Sequence, residues 1–153
     1  MSFHTQNGTY GATMKPNRVM LWFMGRQAKA IRRGKATMMG LPALVLVTKG
    51  RKTGATYETP VACFAQSDGS WLICASANGA AKNPAWYRNL AAAPDAARIV
   101  ITGTEIPVSA EELHGAEWDA GWRRIIETAP RFAGYLTKTD REIPVIRLTR
   151  RGA

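Results

Sequence analysis

Between residues 42 and 109 the chain is divided into short apolar runs by closely spaced turn signals. The run Pro42 to Val47 enters Gly50-Arg-Lys-Thr-Gly54, residues 57–66 end at Asp68-Gly69, residues 71–75 follow, and Gly103 separates residues 97–102 from 105–109. Strands joined this tightly pair antiparallel, because a parallel pair needs a connection of roughly a dozen residues or more. Strands are therefore expected over 43–49, 57–66, 71–75, 97–102, 105–109 and 143–148. Helical spacing of apolar residues predicts helices over 16–33 and 111–128, with a short turn of helix over 132–137 after Pro130. Asn83 is expected to cap a short helix over 85–92 with Pro84 at its first position, and Ser109 with Glu112 to form a capping box for the longer one. About six sequential strands with helices at the rims predict an α+β fold built on a small, mostly antiparallel β-barrel. Residues 1–13, rich in Gly, Thr and Asn, are expected to be flexible, and residues 14–150 to form one domain.

The charge is lopsided. Of the 21 Lys and Arg residues, ten lie in the first 60 positions, where Glu58 is the sole acid. Such a field draws in an anionic partner: a charged cofactor, nucleic acid or an acidic membrane face. The basic helix over 16–33 carries Val19, Met20, Trp22, Phe23 and Met24 in its first half. It suits either an anionic membrane surface or packing against its own domain or a partner subunit. Cys63 and Cys74 fall in apolar runs without a metal-site spacing and read as structural thiols of a reducing compartment. The N-terminus lacks a secretory pattern, and the apolar run Val19 to Met24 is too short to span a bilayer. A cytoplasmic protein is expected, with peripheral contact at the inner face of the cell membrane through helix 16–33 as an option.

Two stretches suggest chemistry. The turn after Val47 collects Lys49, Arg51, Lys52 and Thr53 around Gly50 and Gly54. Cations, a hydroxyl and flexible backbone N–H donors in one small volume suit an anion with several oxygens, although a solvated basic hairpin is the equal alternative. It is not a Walker turn, and no G-x-G-x-x-G turn occurs. In residues 75–90, small Ala75, Ser76, Ala77 and Gly79 are followed by Lys82, Asn83, Trp86, Tyr87 and Asn89. Small backbone, a helix start and an aromatic face suit a planar ring with polar edges, against Trp86 as a plain core anchor. His4 and His114 have no partner at telling spacing, so a bound cofactor rather than side-chain nucleophiles would supply the reactive chemistry.

G-R-K-T-G followed by T-P, then A-S-A-N-G-A-A-K-N-P-A-W-Y-R-N-L and T-D-R-E-I-P, resembles the deazaflavin-dependent nitroreductase family over about residues 40–149. The family consists of small split β-barrels related to FMN-binding oxidoreductases. The resemblance implies coenzyme F420, a deazaflavin with a phosphodiester and an oligoglutamate tail. It implies that Arg51, Lys52 and Thr53 hold the phosphate and, with Lys49, the acidic tail. Pro60, Val61, Ala62 and Cys63 would lie along the deazaflavin, Ala75, Ser76, Ala77, Asn78 and Gly79 at its polar edge, and Trp86 and Asn89 would close the groove. Ser76 and Tyr135 are the candidate catalytic donors toward a reduced substrate oxygen. Ala77, Asn78, Cys63, Ala129, Phe132 and Tyr57 depart from the nitroimidazole-activating member of that family, making the acceptor pocket more apolar.

The function this implies is reduction of an activated alkene (enone) or quinone by reduced F420, with nitro compounds as further acceptors. FMN on the same barrel, or a non-catalytic basic module binding membrane or nucleic acid, are the competing readings. Under the first reading the partner is a small-molecule hydride acceptor, with no nucleic acid expected, and the oligomeric state is open.

Overall fold

A computed structural model describes residues 3, 5–9, 11, 18–38, 40–75, 83–139 and 141–151. The elements are α1 (Arg18–Arg32), β1 (Thr37–Met38), β2 (Leu41–Lys49), β3 (Thr56–Ala62), β4 (Phe64–Ala65), β5 (Trp71–Cys74), α2 (Ala85–Ala92), β6 (Ala97–Ile101), β7 (Thr104–Glu112), α3 (Gly115–Thr128), a 3-10 turn (Pro130–Gly134), α4 (Tyr135–Lys138) and β8 (Val145–Arg150).

All pairings among these strands are antiparallel, in the order β1-β2-β6-β7-β8-β5-β4, with β3 also on β2. β3 and β4 are one ribbon interrupted at Cys63. Its first part pairs with β2 from Ala43↔Ala62 to Lys49↔Thr56, and its second with β5 at Phe64↔Leu72 and Ala65↔Trp71. The ribbon thus touches both ends of the curled sheet. Counting it once, and β1 as the short arm of a hairpin, leaves β2, β3/β4, β5, β6, β7 and β8 as six staves of the expected split barrel.

Alternation along the staves fills the barrel. Leu44, Leu46, Ile73, Ile99, Ile106, Val108, Ile146 and Leu148 pack into one buried cluster with Cys63 and Trp71. Ala43, Val45 and Val47 face outward against Ala28 and Ile31 of α1. β2 is therefore buried on both sides, which explains why its sequence is an unbroken apolar run. Beneath α3 and the 3-10 turn, Phe64, Leu72 and Val145 pack with Trp122, Ile125 and Phe132 in a third cluster.

Three local expectations are corrected. Ser109 and Glu112 do not cap a helix: β7 continues through Glu112↔Ile146, and α3 starts at Gly115. The ladder with β8 wins because Ile106, Val108, Ala110 and Glu112 share one buried face. Asn83 does not cap α2 either; Pro84 occupies that position, and the Asn83 side chain is committed elsewhere. The final strand starts at Val145, since Pro144 has no N–H for the ladder, and runs on to Arg150. Described residues of the N-terminal segment hydrogen-bond to the barrel and to the start of α2. Thr5 N–H donates to the Tyr87 hydroxyl at 3.0 Å, Thr5 Oγ1 donates to buried Glu112, and Asn7 Oδ1 accepts from Asn83 N–H at 2.9 Å.

The β6–β7 turn places Thr102 at φ 46° beside Gly103 at φ 80°, a left-handed pair that disfavours a β-branched residue. Thr102→Asn should relieve about 1 kcal/mol and raise Tm by about 2–4 °C in calorimetry, the sign expected for an Asn-Gly turn.

Candidate functional site

The turn after β2 is closed by Gly50 N–H donating to Ala55 O at 2.7 Å and Gly54 N–H to Gly50 O at 2.8 Å. Gly54 has φ +73°, so the turn requires a glycine there, and a Cβ on Gly50 would lie 2.6 Å from the Tyr57 ring, which would have to move aside. Arg51 reaches across to α2. Its backbone N–H and Nη1 both donate to Asn89 Oδ1, at 3.3 and 3.2 Å, and Asn89 Nδ2 donates to Thr48 Oγ1 at 3.4 Å. Asn89 is itself buried, so this amide locks the turn to the helix.

Between them lies a cleft of about 310 Å³ lined by Gly50, Arg51, Lys52, Thr53, Tyr57, Thr59, Ala85, Trp86 and Asn89. Among the described residues, no carboxylate lines it. Glu58 falls on the opposite face of β3, beneath α1, where Arg32 Nε and Nη2 donate to it at 2.9 and 2.7 Å. Two cations thus face the cleft with no lining acid to offset them. Among the described residues, the backbone N–H groups of Lys52 and Thr53 have no protein acceptor. These donors fit a phosphoryl group, and half-buried Trp86 offers an aromatic wall beside it.

The expected residues divide by position. Arg51, Lys52, Thr53, Trp86 and Asn89 are brought together in the cleft. Lys49 is not: it lines a second cavity of about 380 Å³ with Thr56, Asp95, Arg98 and Arg151. Side chains alternate along β3, so Tyr57, Thr59 and Val61 share the inward side, while Pro60 pairs with outward Val45 and Ala62 packs toward α3. Cys63 is sealed in the barrel interior, and burial pushes its thiol up to about 12. Ala75 donates its N–H to Pro144 O at 2.9 Å, and its carbonyl accepts from Arg141 Nη1 at 2.8 Å, so both of its backbone groups serve the fold. Tyr135 packs on Phe132 at a ring distance of 5.3 Å, near Ala62 and Cys74 rather than in the cleft. Desolvation raises its hydroxyl pKa. Ser76, Ala77, Asn78 and Gly79 lie outside the described residues. Tyr57 and Thr59 were absent from the expected set, although their two-residue spacing from Val61 signals a shared face.

A family model for F420H(2)-dependent quinone reductase matches residues 17–150. The chain belongs to this family. An F420H(2)-dependent quinone reductase of Mycobacterium tuberculosis is 35% identical over 113 residues, 72% of this chain and 74% of its own. A solved F420-H2 dependent reductase superposes with TM-score 0.63 at 33% identity, covering 71% of this chain and 94% of that one. A chain solved as a domain-swapped dimer gives TM-score 0.65 at 28% identity, over 86% and 99%. The protein is thus an oxidoreductase that depends on reduced F420, and the membership favours F420 over FMN. The acid-free, donor-rich cleft is compatible with the phosphoryl part of that coenzyme.

Because the neutral Cys63 thiol is favoured in the folded state, stability falls as pH rises above the ordinary thiol value of 9.0, where the unfolded chain ionises. Native protein at pH 8 should leave Cys63 unmodified by a thiol reagent, and denaturant should expose it. Rapid native labelling at Cys63, located by peptide mass mapping, would contradict this burial.

Proposed function

We propose that this family reductase holds the phosphodiester of F420 in the cleft and passes two electrons to a quinone or an enone, with nitro compounds as weaker acceptors. The observation that carries the placement is the Arg51–Asn89 link, which unites the cationic turn and the Trp86 helix in one cleft. Arg51, Lys52 and Thr53 would bind phosphate oxygens. Lys49 would meet the acidic tail from the second cavity, whose Arg98 and Arg151 add positive charge. The backbone of β3 from Pro60 to Cys63, with residues 75–79, would flank the ring. Trp86 would close the groove, and Asn89 would hold its wall.

Reduced F420, when bound, supplies a hydride from C5 of its deazaflavin. The protein's own contribution is to bind, orient and exclude water, with Ser76 and Tyr135 proposed to donate hydrogen bonds toward the acceptor oxygen. Tyr135 suits that task, since a phenol is a hydrogen-bond donor at neutral pH and desolvation raises its pKa further. Ala129 and Phe132, both buried beside it, give this region the apolar character that a quinone or enone favours.

Peripheral membrane contact is supported by the N-terminal half of α1, where Val19 is 74% and Trp22 63% exposed, with Leu21 and Phe23 also exposed. Arg26 lies over the Trp22 ring at 5.4 Å. Apolar side chains and cations at one helix end complement an anionic bilayer surface, which at the inner face of a cell membrane would place the reductase near lipid-soluble quinones. No helix among the described residues is long and apolar enough to cross a membrane.

In a fluorescence titration with F420 and FMN side by side, F420 should bind tighter. Lys52→Ala should weaken its binding about tenfold, the effect of losing one charge-assisted contact, and raised salt should weaken it further. Absence of F420 binding would reject the placement. Trp22→Ser combined with Phe23→Ser should reduce sedimentation with phosphatidylglycerol vesicles while leaving reduction of menadione unchanged. Equal sedimentation of both proteins would remove the membrane assignment.

A further inference from the structure

Arg141 is the most deeply buried cation among the described residues, at 2% exposure. Its Nη1 donates to Ala75 O at 2.8 Å and to Asn83 Oδ1 at 2.7 Å, while its backbone N–H is held by Thr139 Oγ1 at 3.1 Å. Desolvation is the main influence on the guanidinium and lowers its pKa from the usual arginine value. Burying a charge is unfavourable unless the interactions it makes repay it. Here those interactions join places far apart in sequence. Ala75 directly follows β5, and Asn83 directly precedes Pro84, the cap position of α2.

Asn83 is more than a partner for one bond. Its Nδ2 donates to Thr5 O at 2.9 Å and its N–H to Asn7 Oδ1 at 2.9 Å, so Arg141 Nη1 satisfies the side-chain oxygen that remains. Three residues beyond Asn83 stands Trp86, and six beyond stands Asn89, the acceptor for Arg51. α2 has no side-chain cap of its own, so its start depends on these tertiary bonds.

We propose that Arg141 is a positioning residue of the coenzyme cleft: by bracing Ala75 against Asn83 it fixes the start of α2, and through α2 the wall formed by Trp86 and Asn89. It acts through Asn83 and lines no part of the cleft itself. The need for arginine follows from geometry. One guanidinium nitrogen serves two acceptors along directions fixed by the planar group, a geometry that the freely rotating amine of lysine does not hold. The effect on coenzyme rests on the cleft assignment above, whereas the effect on α2 does not.

The test uses the full chain with Arg141→Lys, Asn83→Ala and the double variant. Hydrogen exchange without coenzyme should show lost protection in peptides covering residues 84–92 and 50–54, with β6 and β7 protected as in the unchanged protein. F420 dissociation constants should rise about tenfold in each single variant and no further in the double, because the two residues act in series. The turnover number at saturating coenzyme with menadione should stay within about twofold, a split that general destabilisation would not give. Unchanged exchange in 84–92 for a folded Arg141→Lys protein overturns the proposal, as do additive effects in the double variant. If the unchanged protein fails to bind F420, the cleft assignment falls, and the exchange data alone decide the role of Arg141.

Discussion

The bend at Cys63 governs the rest of the molecule. The ribbon from Thr56 to Ala65 must pair with β2 on one side of the sheet and with β5 on the other. Cys63 breaks the ladder between those two registers, its N–H donating to Pro42 O at 2.9 Å while its side chain turns into the barrel. Once this seam is set, the two-residue period of the strand dictates the remainder. Tyr57 and Thr59 fall on the side of Thr48 and reach the cleft, while Glu58 and Pro60 fall on the side of α1. A shift by one residue would place a carboxylate in the cleft and remove its hydroxyls.

Polar residues inside the fold work with the same economy. Glu112, Tyr87, Thr5, Asn83 and Arg141 form a connected set of hydrogen bonds linking β7, α2, the N-terminal segment and the turn before β8. Burial and the bond to Glu112 push the Tyr87 hydroxyl up to about 12, so it remains a donor across the physiological range. Such networks stabilise when every member is satisfied and are costly when one is lost. They also define direction in a way that apolar packing does not, which explains why they gather around α2, the helix that forms one wall of the cleft.

Charge follows the same division of faces. Among the described residues, the basic residues of the first 60 positions separate into three places: along and just after α1, the turn at Gly50, and the cavity beside Lys49. The Arg32–Glu58 ion pair withdraws the nearby carboxylate from the turn. Being exposed, that pair adds little to stability; its value is electrostatic, in leaving the cleft field positive.

Strand spacing, turn residues and apolar alternation determined the antiparallel barrel, and the ordered motifs G-R-K-T-G, K-N-P-A-W-Y-R-N-L and T-D-R-E-I-P pointed to the family. Those are local signals, and local chemistry suffices to read them. The capping box at Ser109 misled because a helix start and a continuing edge of strand look alike over four residues. Only the long ladder with β8 decides between them. Asn83 misled for a similar reason: its side chain suits a cap, but Thr5 and Arg141 claim it from 78 and 58 residues away. Which of the basic residues share a cleft, and which face of β3 meets it, likewise depended on pairing across the sheet. The sequence by itself determined the inventory of cations, small residues and aromatics; tertiary structure alone decided their assembly, because hydrogen bonds and register between distant segments leave no periodic trace along the chain.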